Sequence, residues 1–95
     1  MRTYLIGYDL NSPRGSDDYT KLREALKEIS GYWWNHLDST WIIKTNLTAV
    51  QIRDLLGVYL DSGDEMLVVR LTGEWATKGF NDNARTWLHN NMSYE

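Results

Sequence analysis

Two periods of apolar and polar positions run along this chain of 95 residues, and they predict its elements. Thr3 to Leu10 is rich in aromatic and aliphatic side chains and is followed by turn-forming residues, which is typical of a buried strand. Ser16 offers an N-cap hydroxyl, and apolar residues then recur every three or four positions until Gly31. This spacing of three or four residues predicts a first helix, whose buried face consists of Leu22, Ala25, Leu26 and Ile29.

The middle of the chain predicts two strands and a second helix. Residues 32–37 and 39–45 are dominated by aromatic and β-branched side chains, and a tight turn or bulge at Asp38 separates them. Thr48 and Gln51 fit a capping box, which marks a helix start. The apolar face predicted for this helix consists of Ile52, Leu55, Leu56 and Tyr59.

The last third predicts one more strand and a short helix. Met66 to Thr72 is unbroken in apolar character until Arg70, so we expect a central strand and not a peripheral one. Asn81 or Asp82 is expected to cap the final helix. That helix carries Ala84, Trp87 and Leu88 on one face.

This order of elements is the βαββαβ pattern of a ferredoxin-like α+β fold, followed by a short C-terminal helix. We therefore expect one domain over residues 1–95, with its core in residues 3–72 and an extension in residues 73–95. Right-handed crossovers place both helices on one face of a four-stranded antiparallel sheet and leave the other face open. Residues 75–87 are the predicted cover for that open face, within the chain or across a dimer.

Composition narrows the class of protein. The chain has no cysteine and two histidines, which excludes disulfides, thiolate zinc sites and a multi-histidine metal cage within one chain. There is no apolar run long enough for a membrane span and no signal-like start, so we expect a cytoplasmic protein without a membrane partner. Five tryptophans and six tyrosines exceed what a small core hides, which favours a homodimer.

Four short segments resemble one protein family. The first strand, TYLIGYDL, resembles a family signature in which a hydrophobic strand ends in tyrosine and aspartate. Residues 20–26 (TKLREAL) resemble the helix that follows it, and residues 38–43 (DSTWII) and 64–71 (DEMLVVRL) resemble two later strands. The chain is in this respect similar to the small CRISPR-associated adaptation nuclease, the second in the Cas series, and to its VapD toxin relatives.

The resemblance implies a homodimer that acts on RNA or DNA with a divalent metal. In that family the aspartate matching Asp9 lies near its symmetry mate and is proposed to hold the metal, which implies Asp9 as catalytic residue and Mg²⁺ ligand. Arg14, Lys21 and Arg23 are the candidate nucleic-acid contacts. A solvated helix face of mixed charge is the alternative for these three residues.

A non-catalytic function remains open beside the nuclease. The net charge of −3 and the acidic pair Asp17-Asp18 disfavour binding to a phosphate backbone. The alternative is a homodimeric interaction or regulatory protein whose aromatic face binds a protein partner or a small ligand. In that case Asp9 caps its loop by accepting N–H groups from Asn11 or Ser12.

Two further groups of residues have two interpretations each. Trp33, Trp34 and Trp41 form either a base-stacking platform or a core with a dimer interface, and the acidic charge favours the second. His36, Asp38 and Ser39 have the residue types of a hydrolytic trio. A local hairpin hydrogen bond explains this cluster equally well, since no glycine-flanked nucleophile turn surrounds the serine.

Overall fold

Seven elements make up the described part of the chain. The computed structural model describes residues 1–11, 16–37 and 39–92, and for residues 16–19 it describes the backbone. None of the described helices is both long enough and apolar enough to cross a membrane. The elements are β1 Arg2–Asp9, α1 Ser16–Ile29, β2 Tyr32–Trp34, β3 Thr40–Thr45, α2 Ala49–Gly57, β4 Glu65–Arg70 and α3 Asp82–Asn91, which confirms the predicted order.

The four strands form one sheet in the order β2-β3-β1-β4. Every neighbouring pair is antiparallel, and β1 lies between β3 and β4. Leu5 of β1 is opposite Ile42 of β3 and Val69 of β4, which sets the register of the central strands. This α+β arrangement is compatible with the predicted ferredoxin-like fold.

One face of the sheet packs against α1 and α2. Alternate residues of β1 and β3 point toward these helices, because successive side chains of a strand point to opposite faces. The fully buried side chains there each contribute about 1.5–3 kcal/mol through loss of contact with water. The placement of both helices on one face is confirmed, and the buried cluster consists of Tyr4, Ile6, Leu22, Leu26, Trp41, Ile43, Ile52 and Leu56.

The opposite face of the sheet is covered in part by α3 and the segment before it. Trp34 of β2 and Ile42 of β3 are buried there against Ala84 and Leu88 of α3. The indole N–H of Trp34 donates to the backbone oxygen of Ala84 at 3.1 Å, so this ring is fixed to the helix. The predicted cover from residues 75–87 is therefore present, and it comes from within the chain.

Helix ends follow the predicted capping chemistry. Thr48 and Gln51 form the capping box of α2, with Gln51 N to Thr48 Oγ1 at 3.2 Å and Thr48 N to Gln51 Oε1 at 2.9 Å. Asn81 caps α3 by accepting the N–H of Ala84 at 2.8 Å. The predicted apolar face of α2 is wrong at Leu55, which is 51% exposed, because Ile52 and Leu56 face the core and Leu55 borders an open groove beside α1.

Strand β4 lies at the edge of the sheet, and the prediction of a central strand is wrong. Its apolar run has a different origin. Met66 and Val68 pack against the helix-side cluster, whereas Leu67 and Val69 point to the other face and are 61% and 40% exposed. The run is continuous because one set of residues is core and the other is an apolar surface that α3 does not reach.

Candidate functional site

Asp9, the predicted catalytic residue, is the last residue of β1, and its side chain is exposed. Tyr8 is half-buried on the helix side of the sheet, where its hydroxyl accepts the indole N–H of Trp41 at 3.3 Å. Because side chains alternate along a strand, Asp9 lies on the same side of the sheet as α3. Asp9 is therefore exposed, whereas Tyr8 contributes to the packing on the helix side.

A second carboxylate, Glu65, lies directly opposite Asp9. The two residues are partners in the antiparallel register of β1 and β4, and both are exposed. Like charges directly opposite each other destabilise a sheet, unless a cation or a proton lies between them. Sequence reasoning missed Glu65, although it immediately precedes the apolar run of the last strand and an antiparallel partner of β1 places it at this end.

An open depression lies beside the two carboxylates. Its volume is about 340 Å³. Gly7 contributes no side chain to its floor, and a Cβ atom built there meets the Leu5 side chain at an ordinary 3.8 Å. The lining therefore combines two carboxylates with apolar surface, and it consists of Gly7, Tyr8, Asp9, Glu65, Met66 and Leu67.

Asp64 fixes the end of β1 to the turn before β4. One carboxylate oxygen accepts the N–H of Asn11 at 2.8 Å, and the other accepts the N–H of Asp61 at 2.8 Å. The Asn11 amide donates in return to the backbone oxygen of Gly63 at 3.1 Å. The alternative role of Asp9 as acceptor for the Asn11 N–H is therefore wrong, since Asp64 takes that bond, and Ser12 lies outside the described residues.

Two of the three predicted nucleic-acid contacts, Lys21 and Arg23, lie away from the Asp9 side chain. Lys21 and Arg23 are exposed on α1, which packs on the opposite side of the sheet from the Asp9 carboxylate. Arg14 lies outside the described residues. The described arrangement of Lys21 and Arg23 agrees with a solvated helix face and leaves their binding to nucleic acid a prediction.

The three candidate stacking tryptophans belong to the packing of the sheet. Trp41 is fully buried on the helix side, and Trp34 is buried on the α3 side. Trp33 is partly exposed, with its ring 5.3 Å from that of Trp41 and the Lys27 ammonium 4.8 Å from its ring centre. A cation held over an indole in this way contributes about 0.5–1 kcal/mol at an exposed site. A joint stacking platform is wrong, and the core interpretation is confirmed for Trp34 and Trp41.

His36 and Ser39 have packing and turn roles. The His36 ring lies 4.9 Å from Phe80 and 5.8 Å from Trp34. Ser39 has a positive φ of 55°, and its backbone oxygen accepts the N–H of Tyr8 at 3.2 Å. Asp38, the third member of the trio, lies outside the described residues. The described contacts of His36 and Ser39 are those of a strand connection.

Among the side chains described in residues 1–11, 20–37 and 39–92, no three histidines, cysteines, aspartates or glutamates come together as a metal site. Asp9 and Glu65 are two carboxylates on one chain, fewer than such a site needs. Ca²⁺ and Mg²⁺ take six or more oxygen ligands, which water, substrate or a second copy would have to complete. The sequence matches none of the models of known protein families.

Proposed function

We propose that this chain is a homodimeric, Mg²⁺-dependent nuclease or nucleic-acid-binding protein related to the CRISPR adaptation nuclease and VapD group. The observation that carries the proposal is the exposed Asp9 opposite Glu65, at the open end of the β1–β4 pair. The proposal assigns the catalytic role to Asp9. Glu65 joins it as a second ligand candidate that sequence reasoning did not identify.

The donor set fits a hard divalent cation. Carboxylate oxygens are the side-chain ligands that Mg²⁺ prefers, and Asp9 and Glu65 would hold the ion through opposite charge. When bound, the ion polarises phosphate oxygens and activates or positions a water molecule. The chain's own contribution is positional, because Asp64 bonds the loop after Asp9 to the turn before Glu65.

A second copy of the chain is the proposed source of the remaining donors. Leu67 and Val69 lie on the same face as Asp9, and contiguous exposed apolar side chains mark interaction surfaces. A two-fold axis through such a patch brings the patch onto itself. Asp9 lies two positions along β1 from Gly7, which pairs with Leu67. In such a dimer Asp9 would therefore lie near its symmetry mate.

The test is cleavage of labelled RNA, single-stranded DNA and duplex DNA with Mg²⁺ or Mn²⁺. Wild type is compared with Asp9→Asn and Glu65→Gln, which remove a charge and keep the shape. Asp54→Asn is the matched control, since Asp54 is an exposed aspartate of α2 that pairs with Arg53. We expect Asp9→Asn to lower the rate by about 100-fold or more, which corresponds to about 2.7 kcal/mol, and the control to leave it unchanged.

Equal cleavage by wild type and Asp9→Asn removes Asp9 from the mechanism. A rate that falls equally in Asp54→Asn indicates a general effect of charge. No cleavage by any variant, over a range of pH and with both metals, supports the second candidate function.

That second candidate is a non-catalytic homodimeric interaction or regulatory protein. It is favoured by the lining of the depression, which contains two carboxylates and no basic side chain to attract phosphate. The exposed Leu67 and Val69 serve dimerisation in this case too. The negative cleavage result distinguishes it from the nuclease, and sedimentation of the wild-type chain tests the dimer that both candidates share.

A further inference from the structure

A partly open cavity lies between the second face of the sheet and the segment that covers it. Its volume is about 220 Å³. Leu5 of β1 and Ile42 of β3 line its sheet side, and Leu88 of α3 and Met92 line its helix side. The cavity is distinct from the depression at Asp9, because the two share no lining residue.

The outer wall of the cavity is a single loop of defined shape. Gly73 and Gly79 have positive φ values of 81° and 82°, a backbone region that favours glycine. Between these two turns the chain contributes Trp75, Ala76 and Thr77 to the lining. Phe80, directly after the second turn, completes the wall, and its ring lies 5.7 Å from that of Trp34.

The lining determines the chemistry of an occupant. Three of the lining side chains are aromatic, namely Trp34, Trp75 and Phe80. Besides the indole N–H groups of the two tryptophans, the polar side-chain groups of the lining are the hydroxyls of Thr40 and Thr77, and none of the lining residues is charged. A charged ligand would lose its hydration without a partner, whereas a neutral aromatic ring gains apolar and ring-edge contacts.

The volume determines the size of the occupant. A cavity of about 150 Å³ lined by leucine, isoleucine and phenylalanine accepts benzene, and sites for drug-sized ligands begin at about 300 Å³. The value here lies between these two. It suits a ligand of one or two fused rings that carries one hydrogen-bonding group for a threonine hydroxyl.

We propose that this cavity binds a small, neutral aromatic molecule of one or two fused rings. The proposal goes beyond cleavage and dimerisation and stands whether or not Asp9 acts on nucleic acid. It gives Trp75 and Phe80 a role besides covering the sheet.

The probe is indole, titrated into the full ¹⁵N-labelled chain and followed by ¹H–¹⁵N spectra. The five tryptophans give five indole N–H signals, which single Trp→Phe substitutions assign. Trp34 and Trp75 line the cavity, whereas Trp33 and Trp41 lie on the helix side of the sheet and serve as internal controls. We expect saturable shifts of the Trp34 and Trp75 signals, with those of Trp33 and Trp41 unchanged.

A substitution that fills the cavity tests whether indole binds there. Ala76→Phe adds a ring to the wall, and Lys78→Phe adds the same ring two residues along the loop, outside the lining. We expect Ala76→Phe to weaken indole binding by at least about tenfold and Lys78→Phe by less than about twofold, where tenfold corresponds to about 1.4 kcal/mol. Thr40→Leu fills the cavity from the sheet side and replaces Ala76→Phe if that variant fails to fold.

Three outcomes overturn the proposal. The first is no saturable shift up to the solubility limit of indole, and the second is a similar shift of all five indole signals. The third is equal binding by the filled variant and by Lys78→Phe. Indole-3-carboxylate and cyclohexanol test the ligand class, and binding of either as tightly as indole overturns the assignment to neutral aromatic molecules.

Discussion

The two faces of the sheet are built from the same strands but are closed to different degrees. On the helix side, Ile6 and Ile43 are fully buried beneath α1 and α2. On the other side, one row of residues crosses the sheet from Trp34 through Ile42 and Leu5 to Val69. Its exposure rises from 5% at Trp34 to 40% at Val69, because α3 covers only the β2–β3 half.

This difference separates structural roles from functional ones. The closed face specifies the fold, since the side chains of both crossover helices meet there. The partly closed face contains the three features with potential for binding: the carboxylate pair, the apolar patch of Leu67 and Val69, and the aromatic cavity under α3. Four substitutions test this division, in order of decreasing expected effect on stability.

The largest effect is expected from the closed face. Leu26→Ala truncates a fully buried side chain of α1, and we expect a loss of about 3–5 kcal/mol in the free energy of unfolding, at the upper end for such changes. Chemical denaturation monitored by circular dichroism measures this loss. A cost below about 1 kcal/mol would mean that the helix side is no better packed than the α3 side.

A smaller effect is expected beneath α3. Leu88→Ala also removes a buried leucine side chain, but Leu88 already borders the 220 Å³ cavity and has fewer packing partners to lose. We expect a loss of about 1–2 kcal/mol, below the usual range for leucine. Hydrogen exchange should show the amides of α3 opening before those of β1 and β3. Simultaneous exchange in all three elements would show that the two faces unfold as one unit.

The third substitution concerns the joint between the ends of β1 and β4. Asp64→Ala leaves the N–H groups of Asn11 and Asp61 to water, and exposed bonds of this kind contribute about 0.5–1.5 kcal/mol each. We therefore expect a loss of about 1–2 kcal/mol. Thr48→Ala, which removes the α2 cap at a cost of about 1 kcal/mol, calibrates the measurement. If cleavage is observed, Asp64→Ala should also lower its rate, which Thr48→Ala should not.

The smallest effect on stability is expected on the open half of the second face. Leu67→Lys changes a side chain that is mostly exposed, so we expect the free energy of unfolding of the monomer to change by less than about 0.5 kcal/mol. In sedimentation experiments Leu67→Lys should convert the proposed dimer into a monomer. Val58→Lys, at a site 77% exposed on the helix side, is the matched control and should leave the dimer intact. Dimers in both variants would locate the interface elsewhere.

Local patterns predicted most of the fold. The period of Leu22 and Leu26, the Thr48–Gln51 capping box and the Asn81 cap each depend on neighbours within a few residues, and all three are present. The position of β4 was not predicted. An apolar run on one edge of a sheet looks like a central strand when the covering of each face is unknown, and that covering depends on where α3 packs.

The sequence predicted one residue of the candidate site, Asp9, but not the residues around it. Asp9 was identified through the family resemblance of the first strand, whereas Glu65 becomes its partner only through the register of two strands distant in sequence. The Asp64 hydrogen bonds and the aromatic cavity were not predicted for the same reason. Each is formed by segments that are distant in sequence, and no local pattern connects them. Lys21 and Arg23 were the predicted nucleic-acid contacts, but they lie on α1, on the opposite side of the sheet from the Asp9 side chain.

The central position of β1 also affects the order of events in folding. Both of its hydrogen-bonding partners follow it at long sequence separation, and the Asn11–Asp64 bond that joins their ends spans 53 residues. Contacts of such separation form slowly, because the entropy of closing a long loop is lost before the contacts form. On the ribosome, the apolar stretch from Tyr4 to Tyr8 would remain without strand partners until β3 emerges, and without its full set until β4 does. During that interval it is a natural binding segment for chaperones that recognise extended apolar chain, and a point at which two nascent chains are able to aggregate.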